Sequence, residues 1–167
     1  TMGVSNVDSI AVDFAANAVS GDIKVVAIND CGVSDTVRLA ITVKPLIGSI
    51  GTIIGESTVC AGSRAVVYSI PTVDNATKYI WTLPNGVTGS STTKSISVDF
   101  ANNATSGKIW VRAENDCNAT DSVSIDITVK PIVGTIGEIT GTTTLCAGEK
   151  AVTYTVTAVD NALSYEW

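Results

Sequence analysis

The side chains with which this 167-residue chain could do chemistry are few: Cys31, Cys60, Cys117 and Cys146, and 16 carboxylates, with no histidine at all. Without an imidazole, neither a serine nor a cysteine has the usual base to take its proton. The sequence also lacks a nucleophile elbow and a glycine loop opening into a helix. No catalytic residue is expected, and the chain is read as a non-enzyme.

The carboxylates sit in turns. Asp30 and Asp35, with their counterparts Asp116 and Asp121, flank one turn, while Asp74 and Asp160 stand beside Asn in another. Asp and Asn are favoured there because they bond to nearby backbone groups. Ca²⁺ needs six or more oxygen ligands and no run approaches that number, so a calcium ion in a turn is only a residual option and no cofactor is expected. Zinc is disfavoured by the missing histidine and the absence of a close cysteine pair. With 10 basic residues against 16 acidic ones the formal charge is −6. No basic run exists to meet phosphates, which argues against a nucleic-acid partner. Although 45% of residues are apolar, no window reaches the roughly 18 uninterrupted apolar residues of a membrane helix, so no membrane insertion is expected.

The elements that carry these residues are organised by an internal repeat. At an offset of 86, residues 1–81 align with residues 87–167 without a gap, and 43 of the 81 pairs are identical. Asn29-Asp30-Cys31 falls on Asn115-Asp116-Cys117, Lys44-Pro45 on Lys130-Pro131, and Cys60-Ala61-Gly62 on Cys146-Ala147-Gly148. A period of this size fits one small domain per repeat, not a solenoid turn. The Lys-Pro pair is the natural boundary, since proline has no donor with which to continue sheet pairing. One complete domain is therefore placed at 46–131. Residues 1–45 read as the C-terminal half of a preceding repeat and 132–167 as the N-terminal half of a following one, as in a window from a longer array. Neither half can bury its apolar face as a whole sandwich does, unless the halves complement each other or meet a neighbouring chain.

Within the complete repeat, apolar residues alternate at period 2, the pattern of half-buried strands. Val66, Tyr68 and Ile70 form one run; Tyr79 and Trp81 the next; then Ile96, Val98 and Phe100; Ile109, Val111 and Ala113; and Val123, Ile125, Ile127 and Val129. An opening strand is expected around Ile50 to Ile54. Turn formers separate these runs, as in Asp74-Asn75 and Pro84-Asn85-Gly86. The expectation is an all-β, antiparallel β-sandwich.

The order CAG, a Val/Tyr strand, DNATKYIWTLPNG, SISVDF, SGKIWVRAENDC and a final SVSIDITV strand resembles the PKD-like and immunoglobulin-like tandem repeats of large Bacteroidetes cell-surface proteins. The Asp-Phe-Gly-Asp-Gly usual after the tryptophan in PKD domains is replaced here by Thr-Leu-Pro-Asn-Gly. The resemblance implies tandem immunoglobulin-like sandwiches in long secreted adhesins, including gliding-motility adhesins, or in spacers of cell-surface enzymes, commonly exported by the type IX secretion system. It thus implies an extracellular or bacterial cell-surface location. It also implies that Ser9, Thr36 and Ser122, in Asp-Ser/Thr-aliphatic triplets, are O-glycosylation candidates; each also reads simply as the start of a strand after a turn.

Four cysteines suit an oxidising exterior, and three disulfide patterns stay open. Cys60 with Cys117 is the default for one repeat. In an up-and-down immunoglobulin-like order, however, the two would lie at opposite ends of the sandwich, beyond the Cα spacing of about 7 Å that a disulfide spans. The same order brings the Cys60 end of one domain next to the Cys117 counterpart of the following one, so links between successive domains are equally open. Cys31 with Cys60 and Cys117 with Cys146 form the third pattern, and four free thiols the alternative to all of them. Tyr79, Trp81, Tyr165 and Trp167 share the inward phase and are read as core anchors. Trp110, whose counterpart is Lys24, points outward and is a candidate contact for a sugar or a neighbouring molecule.

The expected function is a stiff, non-enzymatic spacer or stalk in a long secreted or cell-surface adhesin or filament. Its partners would be neighbouring repeats of the same polypeptide, other copies in a filament, or surface glycans. The alternatives are a glycan- or protein-binding module and an accessory spacer of a secreted multidomain enzyme.

Overall fold

Alternating apolar residues put one face of each strand toward a shared core, and two such faces must meet for either to leave water. The computed structural model describes residues 7–167. Its strands are β1 (Gly21–Val25), β2 (Ile28–Asn29), β3 (Gly32–Val33), β4 (Val37–Ile41), β5 (Thr58–Cys60), β6 (Val66–Ser69), β7 (Lys78–Thr82), β8 (Val87–Thr88), β9 (Ser95–Phe100), β10 (Gly107–Glu114), β11 (Val123–Lys130), β12 (Thr140–Gly141) and β13 (Tyr154–Thr155). Among the described residues no helix is long and apolar enough to cross a membrane.

Strands β5 to β11 build a two-sheet sandwich. One sheet runs β5-β11-β10-β7 and the other β6-β9-β8. Tyr68, Ile96, Val98 and Phe100 from the second sheet meet Tyr79, Ile109, Val111, Ala113 and Ile127 from the first, and all are buried. Fully burying a side chain of this size contributes roughly 1.5–3 kcal/mol, so these positions carry most of the favourable term in folding. Tyr68 is enclosed completely, and its hydroxyl donates to the Glu56 carbonyl at 2.9 Å, which satisfies the one polar group it takes inside.

Two features depart from the sequence-based expectation. The opening strand is Thr58–Cys60, not Ile50 to Ile54; the earlier segment contributes only a bridge, with Ile54 and Ser69 exchanging hydrogen bonds of 2.7 and 2.9 Å. That strand also runs parallel to β11, with Thr128 opposite Thr58 and Lys130 opposite Cys60, while the other pairings within the sandwich are antiparallel. The order is therefore not a simple up-and-down one. The chain crosses between the sheets at β5–β6, β6–β7, β7–β8 and β9–β10, and β5 joins the sheet of the last strand, β11.

The flanking segments repeat the same local structure without its burial. β1 and β4 pair with Ile23 opposite Leu39, the register in which β10 and β11 place Ile109 opposite Ile125. Ile109 is fully buried, whereas Ile23 is 37% exposed: the β9 counterpart, 9–14, forms no strand over it and leaves Ile10, Val12 and Phe14 exposed, and β6 has no counterpart in 1–45. At the other end Tyr154 donates to Thr142 as Tyr68 does to Glu56, yet Tyr154 is exposed. Local hydrogen bonding is thus set within each half, and burial only by the assembled sandwich. Among the described residues the two halves do not cover each other.

The junction between repeats as the candidate functional site

The Lys-Pro linker is anchored by two loops that the fold brings together. The first follows β10. Asn115 accepts hydrogen bonds from the backbone N–H groups of Cys117 (2.9 Å) and Asn118 (3.0 Å), folding the loop back on itself, as Asn29 does for Cys31 and Gly32 one repeat earlier. With its oxygen used locally, the Asn115 amide donates to the Pro45 and Asn75 carbonyls, each at 3.1 Å. The second loop is the Asp74-Asn75 turn. Asn75 adopts φ 59°, a left-handed conformation that asparagine tolerates better than most residues. Its amide donates to Leu46 at 2.8 Å, and the Asp74 carbonyl accepts from Gly48 at 2.9 Å.

The remaining ties are equally specific. Asn118 Oδ1 accepts from the Ile47 backbone at 3.2 Å, and the Lys44 ammonium lies 2.6 Å from the Asp116 carboxylate. The hydrogen bond from Lys44, followed by its charge, holds the Asp116 carboxyl below the ordinary aspartate range; the same contact raises Lys44. Both groups are exposed, so the pair orients the linker more than it stabilises the fold. Lys44 and Pro45 are thereby tied to the following domain, whose first residues, Leu46, Ile47 and Gly48, are held by the same two loops. The downstream linker shows the matching half of this arrangement: Asn161 donates to Ile132 at 3.0 Å, and Gly134 to Asp160 at 2.8 Å.

The cysteines fall around this junction. All four are exposed and unpaired. Cys60 lies opposite Lys130 at the end of β11, while Cys117 sits in the loop before β11 begins. Eight residues of strand, about 23 Å at 3.3 Å per step, separate those ends. A Cys60–Cys117 link within the repeat is therefore out of reach. The Cys117 thiol instead donates to the Lys44 carbonyl at 3.6 Å.

The other candidate residues have these places. Tyr79 is buried and its hydroxyl accepts from the Val73 backbone at 3.1 Å; Trp81 packs partly buried against the core and donates to Thr93 at 2.9 Å. Tyr165 makes the same bond to Val159 but is exposed, and Trp167 is 73% exposed, so neither anchors a core here: β10, which pairs with β7, and β8 and β9 of the facing sheet have no counterparts in 132–167. Trp110 is 40% exposed on the outer face of β10, opposite Thr82 and Ser124, between Lys108 and Arg112 on the same face. None of these neighbours is aromatic. Ser9, Thr36 and Ser122 are on the surface. Among the described residues no group of three or more His, Cys, Asp or Glu could hold a metal ion, and of the turn aspartates Asp116 pairs with Lys44.

Asn75 reads in the sequence as a turn former and Asn115 as one of the repeated residues, and neither signals a contact with the linker. The available signal was retention of Asn29/Asn115, Asp30/Asp116, Lys44/Lys130 and Asp74-Asn75/Asp160-Asn161 in both copies while much around them varies.

Two packed sheets, a parallel first strand and a linker held by loops define an immunoglobulin-like structural module. A family model described as PKD-like domain matches residues 47–127 and 132–167, and the chain belongs to that family. A search of curated proteins finds no match. Among solved structures, the crystal structure of Dscam1 isoform 9.44, N-terminal four Ig domains, is similar with a TM-score of 0.39 and 16% identity, over 66% of this chain and 27% of that one. PKD-like and immunoglobulin-like domains are typically non-catalytic modules and are commonly extracellular.

Proposed function

We propose that the chain is a run of stiff, non-enzymatic spacer domains in a long secreted or cell-surface adhesin or filament of a bacterium, with neighbouring repeats as its principal partners. The observation that carries this reading is the clamped linker. Lys44 and Pro45, the last residues before the domain, contact Asp116 and Asn115 inside it, and its first residues, Leu46, Ile47 and Gly48, are held by Asn75, Asn118 and Asp74. A tether that only had to connect two domains would leave such backbone groups to water. Retention of Lys44, Asn75, Asn115 and Asp116 as Lys130, Asn161, Asn29 and Asp30 supports the same geometry at every junction, although Asn118 has Gly32 as its counterpart, and such a geometry turns a domain chain into a rod. A gliding-type adhesin exported by type IX secretion fits this design, as does a spacer in a secreted enzyme.

The test is small-angle scattering on arrays of two, three and four repeats. The maximum dimension should increase by a constant step with each repeat. A dimension that grows with roughly the square root of repeat number, as for flexibly joined beads, would exclude a spacer of fixed length.

A glycan-binding role has one supporting observation, the outward Trp110. It lacks a second aromatic beside it for a sugar-stacking platform, and the spacer reading is preferred.

A further inference from the structure

The two cysteines of the complete repeat, Cys60 and Cys117, each stand at a Lys-Pro junction, at opposite ends of the domain. Cys117 lies 3.6 Å from the carbonyl oxygen of Lys44, the last residue before the linker proline of the preceding repeat. Lys130 is the Lys44 counterpart one repeat later. Lys130 is also the register partner of Cys60, and its carbonyl oxygen accepts from Ala61, the next residue after Cys60, at 2.8 Å. Applying the observed Lys44 contact to the next junction sets the following repeat's counterpart of Cys117 against that same Lys130 oxygen. From the spacing of adjacent strands, Cys60 Cα lies about 4.8 Å from Lys130 Cα. Cys60 and the next repeat's Cys117 counterpart thus flank one peptide group from two domains; a disulfide between them requires Cα atoms about 4.4–6.8 Å apart.

We propose that Cys60 of each repeat forms a disulfide with the Cys117 counterpart of the next, stapling every junction of the array covalently. This deepens the spacer reading and rests on its clamped junction. The chemistry is thiol–disulfide exchange with a small-molecule disulfide such as oxidised glutathione. The thiolate of one cysteine attacks that disulfide and releases one reduced thiol. The second cysteine thiolate then attacks the mixed disulfide and releases the other. One S–S bond breaks, one forms, and the two protons given up by the cysteines end on the two released thiols. An oxidising exterior lets the bond persist.

The test uses the chain extended after Trp167 by its own residues 82–131, which completes a second repeat and adds one further copy of Cys117. After oxidation with oxidised glutathione, two thiols per chain should disappear and non-reducing peptide mapping should show a Cys60 cross-link. C117S in the first repeat should leave that link intact, and serine at the added copy should abolish it. A link lost in C117S but kept in the other variant, a link joining Cys60 to Cys31 or Cys117 to Cys146, or retention of every thiol would overturn the proposal. Scattering from the same protein under reducing conditions separates the two claims. An extended reduced array that forms no cross-link removes the staple and leaves the spacer, whereas a collapsed reduced array removes the spacer reading itself.

Discussion

The side-chain amide of Asn115 donates to the carbonyl oxygen of Pro45, 70 residues earlier in the chain, while its own oxygen organises the loop it stands in. One residue therefore couples the internal shape of a domain to the path of the linker that enters it. The two tasks use different atoms and can be separated by substitution.

Asn115→Asp retains an oxygen acceptor for Cys117 and Asn118 but removes the donor to Pro45 and Asn75. It should cost about 1 kcal/mol in denaturant unfolding, in line with a net hydrogen bond or two at a solvent-accessible site, and should loosen the linker. Asn115→Ala loses the loop bonds as well and should cost more. Equal effects of both variants on stability and on interdomain order would show that the linker bonds contribute nothing of their own.

Tyr68 sets the limits of the core. Tyr68→Phe removes only the bond to Glu56 and should cost about 1 kcal/mol, while Tyr68→Ala should cost about 3–5 kcal/mol through the cavity it leaves. Gly55 packs directly on the Tyr68 ring, so a β-carbon there has no space, and Gly55→Ala should destabilise by about 1–3 kcal/mol. Thermal unfolding of the three variants checks the order.

How much of this was readable beforehand follows from the range of each interaction. Tyr68, Ile96, Val98, Phe100, Ile109 and Val111 announce themselves because strand alternation is local, and each proves buried. The three-residue strand Thr58–Cys60 is too short to show a period, and its parallel partner is some 70 residues away, so the more apolar Ile50 to Ile54 drew the assignment instead. The inward phase of Tyr165 and Trp167 was legible in their identity with Tyr79 and Trp81, but burial needs the counterparts of β8, β9 and β10, which 132–167 does not contain. The clamp was hidden for a chemical reason: Asn and Asp are so common in turns that their presence explains itself, and only a partner 70 residues distant gives Asn115 and Asp116 their second role.

The junction ion pair gives a pH dependence of definite sign. Asp116 is lowered, so its contribution is present above the ordinary aspartate pKa and is lost as pH falls through the lowered value. Lys44 is raised, so its contribution is present below the ordinary lysine pKa and is lost only as pH rises through the raised value. The tie should therefore hold across neutral pH and open in acid. In a carboxyl-carbon NMR titration, Asp116 should titrate below the ordinary aspartate range and return to it in Lys44→Met. An unchanged midpoint in that variant would remove the pair from the account.

Trp110 distinguishes a spacer from a glycan binder. Trp110→Ala should leave polysaccharide retention in affinity electrophoresis at the level of the unaltered chain, because no second aromatic stands beside it. A marked loss of retention would instead assign this face to binding.

The central claim is that the junction fixes one domain relative to the next, and a distance measured across it tests this most directly. Spin labels at Ser124 and at the copy of Ser124 one repeat later, in the extended chain with its native cysteines replaced by serine, report the domain separation without any disulfide. The account predicts a single narrow distance distribution that broadens in Asn75→Ala and Asn115→Ala. A broad distribution in the unaltered junction, indifferent to both substitutions, would contradict it.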